Sequence, residues 1–224
     1  MPEQLGFDLP SVPALGRADF LVAPSNAVAV AMIESARADK LVLTGPEGAG
    51  KTHLAHVWAT QTGARIFSAR DLARHDIPEL AQGAVAVEDV PEIATDADAQ
   101  TALFHLHNLV LAEGHTLLLT GCGAVRDWGL TLPDLASRVS AAQSAALDAP
   151  DDTLLSAVLA KLFADRQVTP KADLIPYLIR RMDRSFAAAR ALVERLDTAS
   201  LAQKRPISRA LAATLLDNDQ GPAR

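Results

Sequence analysis

At 224 residues the chain is long enough for one sizeable core, or one core with a small appended unit. Its 49% hydrophobic and 21% charged residues are those of an ordinary globular protein, and a net charge of −6 argues against a protein whose main affinity comes from a phosphate backbone, while leaving room for a local basic patch. A single cysteine, Cys122, excludes a disulfide framework, the start MPEQLGFDLP lacks a signal-peptide pattern, and no apolar run reaches the ~20 residues of a membrane span, so a soluble cytoplasmic protein without a membrane partner is expected.

Residues 1–17 contain three prolines and two glycines and read as an irregular tail. Within it, Gln4-Leu5-Gly6-Phe7-Asp8-Leu9 alternates apolar with small or polar residues, so an extended chain presents Leu5, Phe7 and Leu9 on one side. Spacing alone leaves two readings open. The peptide docks into a partner's groove, or it folds back on its own domain as a minor strand, the commoner fate of an apolar tail.

Ala23-Pro24-Ser25-Asn26 leads into a helix over 26–38 with Val28, Val30, Ala31 and Ile33 apolar. The run 40–44 reads as a buried strand, and a helix over 52–62, with Leu54, Ala55, Trp58 and Ala59 apolar, stops at Gly63. Between them Gly45-Pro46-Glu47-Gly48-Ala49-Gly50-Lys51-Thr52 fits the phosphate-binding pattern G-x-x-x-x-G-K-[ST] at every fixed position. The glycines let backbone amides turn toward phosphate oxygens, and the helix adds its unpaired amino-terminal N–H groups and positive dipole end. Lys51 is expected on the β- and γ-phosphates of ATP or ADP, and the Thr52 hydroxyl on Mg²⁺.

A second strand over 64–68 follows, and Asp71 is read as the cap of a short helix reaching about 82. A third, fully apolar strand over 83–87 runs into Glu88-Asp89, at the strand end where open α/β sheets bind ligands. There Glu88 would share Mg²⁺ with Thr52, and Asp89 would orient the water that attacks a γ-phosphate. A helix over 96–113, with Leu103, Leu106, Leu109 and Val110 as its buried stripe, ends at Gly114. The fourth strand, 116–120, places the Thr120 hydroxyl at its end, near the γ-phosphate or the attacking water. A weaker fifth strand, 144–147, is reached through Leu132-Pro133-Asp134-Leu135-Ala136-Ser137-Arg138. Cys122 reads as a small packed residue, and the pairs His53/His56 and His105/His107 as helix surface rather than metal ligands.

Beyond Pro150 no strand is visible, and 153–166, 171–182, 185–202 and 207–216 all read as helices. The expected organisation is therefore a tail over 1–17, an α/β nucleotide-binding domain over 18–149, and a small all-helical lid over 150–224. The α/β part should hold a parallel five-stranded sheet with helices on both faces.

The order of phosphate loop, acidic strand end at Glu88-Asp89, Thr120 strand end, Ser137-Arg138 and helical lid resembles the AAA+ ATPases. Within them it is similar to the replication initiator DnaA, to whose nucleotide domain Phe20-Leu21-Val22-Ala23-Pro24-Ser25-Asn26 looks like the start. The likeness runs from about 19 to 216 and leaves no place for the initiator's DNA-reading helix-turn-helix, so no direct sequence-specific DNA binding is expected. A short DnaA homologue with Gln4-Leu5-Gly6-Phe7-Asp8-Leu9 at its front resembles the regulators of replication initiation in that family. The resemblance implies that the peptide, through Gln4, Leu5, Phe7 and Leu9, docks on the DNA polymerase sliding clamp (its beta subunit). It also implies that the protein acts on DnaA, prompting it to hydrolyse its ATP. Arg138 matches the family's arginine finger, offered in trans, and Thr120 its sensor-1 position; a homo-oligomer is compatible with both. Two departures from the pattern, Glu-Asp in place of two aspartates and Ala187 in the slot of the sensor-2 arginine, imply weak intrinsic ATPase activity. A self-sufficient AAA+ ATPase such as a helicase loader, and a DNA-binding initiator fragment, are the competing readings.

Overall fold

The structure, a computed structural model, describes residues 16–17, 20–35 and 38–219. Five parallel strands form one sheet: β1 (Lys40–Thr44), β2 (Arg65–Ser68), β3 (Val85–Glu88), β4 (Leu117–Gly121) and β5 (Gln143–Ala146), in the order β2-β3-β4-β1-β5. In register, Val42 lies opposite Leu119 and Ser144, and Val87 opposite Leu119. These strands are short apolar runs because both faces are covered, the usual condition of a parallel sheet.

Alternation along each strand sorts the side chains into two cores. Val42, Val85, Val87, Leu117 and Leu119 face α3 (Ile77–Leu80), α4 (Ala97–Ala112) and α5 (Pro133–Ser140), meeting Leu80, Leu103, Leu106 and Leu135. Leu41, Leu43, Ala86, Leu118 and Ala145 face α1 (Ala27–Ser35) and α2 (Lys51–Thr62), meeting Ile33, Leu54 and Trp58. The remaining helices, α6 (Asp152–Asp165), α7 (Leu174–Ile179), α8 (Phe186–Gln203) and α9 (Arg209–Asp219), bury Leu155, Leu159, Phe163, Leu178, Val193 and Leu196 in a third cluster of their own. Among the described residues no helix is long and apolar enough to cross a membrane.

Local chemistry sets the helix starts. Asp96, Asp151 and Ser185 accept hydrogen bonds from the backbone N–H of Ala99, Leu154 and Ala188 at the heads of α4, α6 and α8. The capping role expected of Asp71 is corrected. Residues Ala69–Arg74 form a 3₁₀ segment in which Asp71 pairs with Arg74, and Asp76 caps the short α3 instead. Proline at the second position of α3 needs no hydrogen bond there, which favours the later start. The stripe of α4 also differs from expectation. It centres on Leu103, Leu106 and Val110, leaves Leu109 36% exposed past its margin, and takes in two polar residues, Gln100 and His107.

Where β4 ends, the chain passes under an aromatic roof. A Cβ on Gly121 would lie 2.6 Å from both Pro91 Cδ and the ring of the buried Trp128. Gly121→Ala must push one of them aside, and overpacking of this kind costs about 1–3 kcal/mol. For a chain of this size each kcal/mol lowers Tm by about 2–4 °C, so thermal unfolding should show a drop of several degrees. An unchanged Tm would mean the roof is loose.

Candidate functional site

The phosphate-type loop lies between β1 and α2, as its pattern required. Gly48 (φ 71°) and Gly50 (φ 98°) take left-handed backbone conformations that residues with a Cβ rarely adopt. Space is as restrictive as conformation, since a Cβ on Gly48 would come within 2.4 Å of the Ser185 side chain. The loop is thus approached closely by the head of α8, where the Phe186 N–H donates to Gly48 O at 2.9 Å. The Phe186 ring lies over Gly50 beside Phe20, which in turn meets His53 edge-on at 5.0 Å.

Lys51, the first residue of α2, is 7% exposed. Its ammonium donates to Gly45 O and Pro46 O, each at 2.9 Å, and lies 3.4 Å from Cys122 Sγ. A strongly hydrated cation is held here by two carbonyls and the Cys122 sulfur, so an incoming phosphate would meet a charge already largely desolvated. Cys122 is exposed rather than packed, since the roof over Gly121 stops one residue short of it.

The acidic strand end faces the same place. Burial raises the Glu88 carboxyl above the usual carboxylate range; the Thr52 hydroxyl bonded to it lowers it, Asp89 raises it further, and His56 and Lys51 oppose that. One carboxylate oxygen, Oε1, is buried without a hydrogen-bond partner. A buried acceptor with nothing to accept from, beside the Thr52 hydroxyl, fits a divalent cation. Among the described residues no cluster of three or more His, Cys, Asp or Glu is placed to hold a metal. A Mg²⁺ ion here would therefore take Thr52 and Glu88 from the protein and its other ligands from phosphate and water.

Asp89 has φ 57°, uncommon for a residue with a side chain. Its N–H donates to Thr120 Oγ1 at 3.2 Å, and Thr120 is fully buried. Thr120 thus fixes the strained turn that carries the acidic pair, and Asp89 itself is exposed.

A raised pKa in the fold means that Glu88 contributes stability which is fully present below its unfolded value and is lost as pH rises through the folded one. At any pH above its unfolded value, the burial that raises Glu88 therefore weakens the unliganded protein. Glu88→Gln should melt higher than wild type at neutral pH, and the gap should close as pH falls toward the ordinary carboxylate range. Melting curves across pH check this, and a gap independent of pH would overturn it.

Other expected site residues lie elsewhere. Arg138, exposed near the end of α5, stacks over the Phe104 ring at 5.3 Å, and its backbone carbonyl accepts from Lys40 Nζ at 3.0 Å. Lys40 opens β1 and the phosphate loop follows its end, so the length of that strand, about 13 Å at 3.3 Å per residue, separates Arg138's anchor from the loop. Ala187 sits in the first turn of α8. Arg184 is engaged by Asp152 at 2.7 Å, at the head of α6. Gln4, Leu5, Phe7 and Leu9 fall outside the described residues. His107, expected on a helix surface, is buried, and burial lowers its pKa.

Gln100 is the residue the pattern did not single out. It is 1% exposed, donates to Ile93 O and Ala94 O, and accepts from the N–H of Thr131 and of Leu132. One amide side chain therefore joins the segment that follows Glu88-Asp89 to the head of α5, whose far end carries Arg138. A glutamine inside a largely apolar stripe is the signal that could have found it, because buried amides are hydrogen-bonded.

No family model matches the chain. Solved structures do. Domain III of the replication initiation protein DnaA from Thermotoga maritima superposes with a TM-score of 0.82 at 18% identity, covering 96% of this chain and 100% of that one. AMPPCP-bound DnaA from Aquifex aeolicus gives 0.71 at 16% identity over 82% of this chain, which spans 65% of that protein. A RuvB variant from Thermotoga maritima gives 0.69 at 17% identity, over 88% of this chain and 70% of that one. The fold is the AAA+ fold that these proteins share.

Proposed function

We propose that this AAA+ chain binds an adenine nucleotide with Mg²⁺ at Gly45–Thr52 and uses it as a switch rather than as fuel. In this reading it is a regulator of the Hda type. Docked on a DNA-loaded sliding clamp by Gln4, Leu5, Phe7 and Leu9, it makes the initiator DnaA hydrolyse its bound ATP and so prevents a second round of replication. AMPPCP bound to the Aquifex aeolicus neighbour supports the ligand class.

The observation that carries the reading is the division of the machinery within one chain. The loop gathers what is needed to hold phosphates: Lys51 desolvated, Thr52 beside Glu88, and the head of α2. Arg138 is exposed about a strand's length away, its guanidinium 5.3 Å from the Phe104 ring. In this reading it serves a phosphate on another molecule. When bound, Mg²⁺ would supply neutralising charge between the phosphates. Asp89, whose backbone N–H is held by Thr120, would orient the attacking water, whereas Ala187 stands at the head of α8 and Arg184 is tied to Asp152, so neither offers the chain's own phosphates a guanidinium. Turnover by the protein alone is therefore expected to be slow.

The test is hydrolysis of DnaA-bound ATP, followed with this protein, with DNA-loaded clamp, and with both. Acceleration is expected only with both. Replacing Gln4, Leu5 and Phe7 by alanine should remove the acceleration and the retention on immobilised clamp, yet leave nucleotide binding intact. Burial of a Leu or Phe side chain contributes roughly 1.5–3 kcal/mol, so three truncations should reduce a weak peptide contact to background. Equal hydrolysis in all arms would end the regulatory reading.

A further inference from the structure

Charge is divided unevenly along the chain. Residues 1–149 hold 9 basic and 18 acidic residues, whereas 150–224 hold 12 basic and 9 acidic. A protein acidic as a whole thus ends in a basic set of helices. Several of their charges are matched: Lys161 pairs with Asp165, Arg166 with Asp197, and Arg184 with Asp152.

The excess gathers where α7 ends and α9 begins. Tyr177, 6% exposed, carries two guanidiniums, Arg181 at 5.0 Å and Arg209 at 4.8 Å from its ring centroid. By those distances the two charges are at most 9.8 Å apart. Arg181 also meets Asp217 at 3.0 Å, and Arg209 has no carboxylate partner among the described residues. Arg180 precedes Arg181, and Lys204 and Arg205 lead into α9, all three exposed. Asp173, ahead of α7, and Asp183 are further carboxylates close by in the chain.

One arginine on the ring would satisfy the packing. A second, without a carboxylate, adds like-charge repulsion within about a Debye length, which the ring offsets only in part. A guanidinium is also a planar fork of N–H donors that grips phosphate oxygens in pairs; Arg209 offers its fork with no carboxylate on it among the described residues, while Arg181 shares one N–H with Asp217. Among the described residues of these helices, Leu201 is the one exposed large apolar side chain, too little for the apolar centre of a protein interface. We propose that Arg181 and Arg209 on the Tyr177 ring, with Arg180, Lys204 and Arg205 next to them in the chain, bind the sugar–phosphate backbone of duplex DNA without regard to sequence. The proposed function supplies the setting, DNA threaded through the clamp, but the contact itself needs neither clamp nor DnaA. The two readings can therefore fail separately.

Fluorescence anisotropy of the full chain with two short duplexes of unrelated sequence tests this. Both should bind alike, and affinity should fall about 150- to 500-fold between about 50 and 200 mM salt, as neutralisation of four or five phosphates requires. Replacing Arg181 and Arg209 by alanine should flatten the plot of log K against log salt by about 1.8, at about 0.9 for each phosphate no longer neutralised. Should that variant melt early, Arg180→Glu with Arg205→Glu, whose side chains are exposed and unstacked, should abolish binding with the fold intact. No binding by wild type at the lower salt, unequal binding of the two sequences, or an unchanged slope in a folded variant would overturn the proposal. So would a polyglutamate peptide that binds as tightly as DNA, which would assign the face to an acidic protein.

Discussion

Arg138→Ala is expected to bind ADP and clamp as wild type does, and to lose nearly all stimulation of ATP hydrolysis by DnaA. The effect is electrostatic. As the γ-phosphoryl group leaves, charge spreads over its oxygens, and a guanidinium inserted from a neighbouring molecule offsets it in a site from which water has been excluded. Such a finger accounts for about 10³ to 10⁵ in rate where one has been measured, so the loss should be visible in a single-turnover assay. Arg138→Lys should recover little, since an ammonium lacks the planar set of donors. The exposed contact with Phe104 contributes about 0.5–1 kcal/mol, and the bond from Lys40 goes to the Arg138 carbonyl, which the substitution keeps. The variant should therefore melt only slightly lower, and Tm measured beside activity separates lost chemistry from lost fold. Stimulation close to wild type by a folded Arg138→Ala would exclude the finger.

Lys51→Ala should remove the thermal shift that nucleotide produces. A ligand at 100 times its dissociation constant stabilises the folded state by about 2.7 kcal/mol, and a variant that no longer binds gains none of it. Among the described residues the ammonium donates to Gly45 O, Pro46 O and Cys122 Sγ, so its removal frees two carbonyls at the rim of the loop and leaves the core as it was. The unliganded variant should fold, and differential scanning with and without ADP should then give superimposable curves. A shift equal to that of wild type would remove the phosphate role from the loop.

The parts of this site that could be read from sequence are those in which chemistry is local. Strand, glycine loop and helix around Lys51 follow one another within a few residues, and an acidic pair at the end of an apolar strand is visible in the same way. What escaped depends on contacts between distant segments. Gln100 is meaningful only once Ile93, Ala94, Thr131 and Leu132 surround it. The approach of Ser185 and Phe186 to Gly48 and Gly50 joins positions more than a hundred residues apart, which no periodicity encodes. Leu109 and His107 exchanged their expected places because a stripe drawn through the leucines of α4 points slightly to one side of the sheet. Asp71 and Asp76 are both plausible caps by type, and only the 3₁₀ turn between them decides which N–H is left open.

The junction between Gly48 and the head of α8 has a consequence for calorimetry. Helices α6–α9 bury a cluster of their own and could, by themselves, form a separate melting unit. Their tie to the rest of the chain includes the peptide group of Gly48, whose carbonyl takes the Phe186 N–H, together with the side chains that close over the loop. Heat absorbed by one half is thereby shared with the other through the very residues a nucleotide would touch. A ligand seated in the loop tightens the joint as well as the site, so the endotherm narrows as it moves upward, and the cooperativity of unfolding itself becomes a gauge of occupancy.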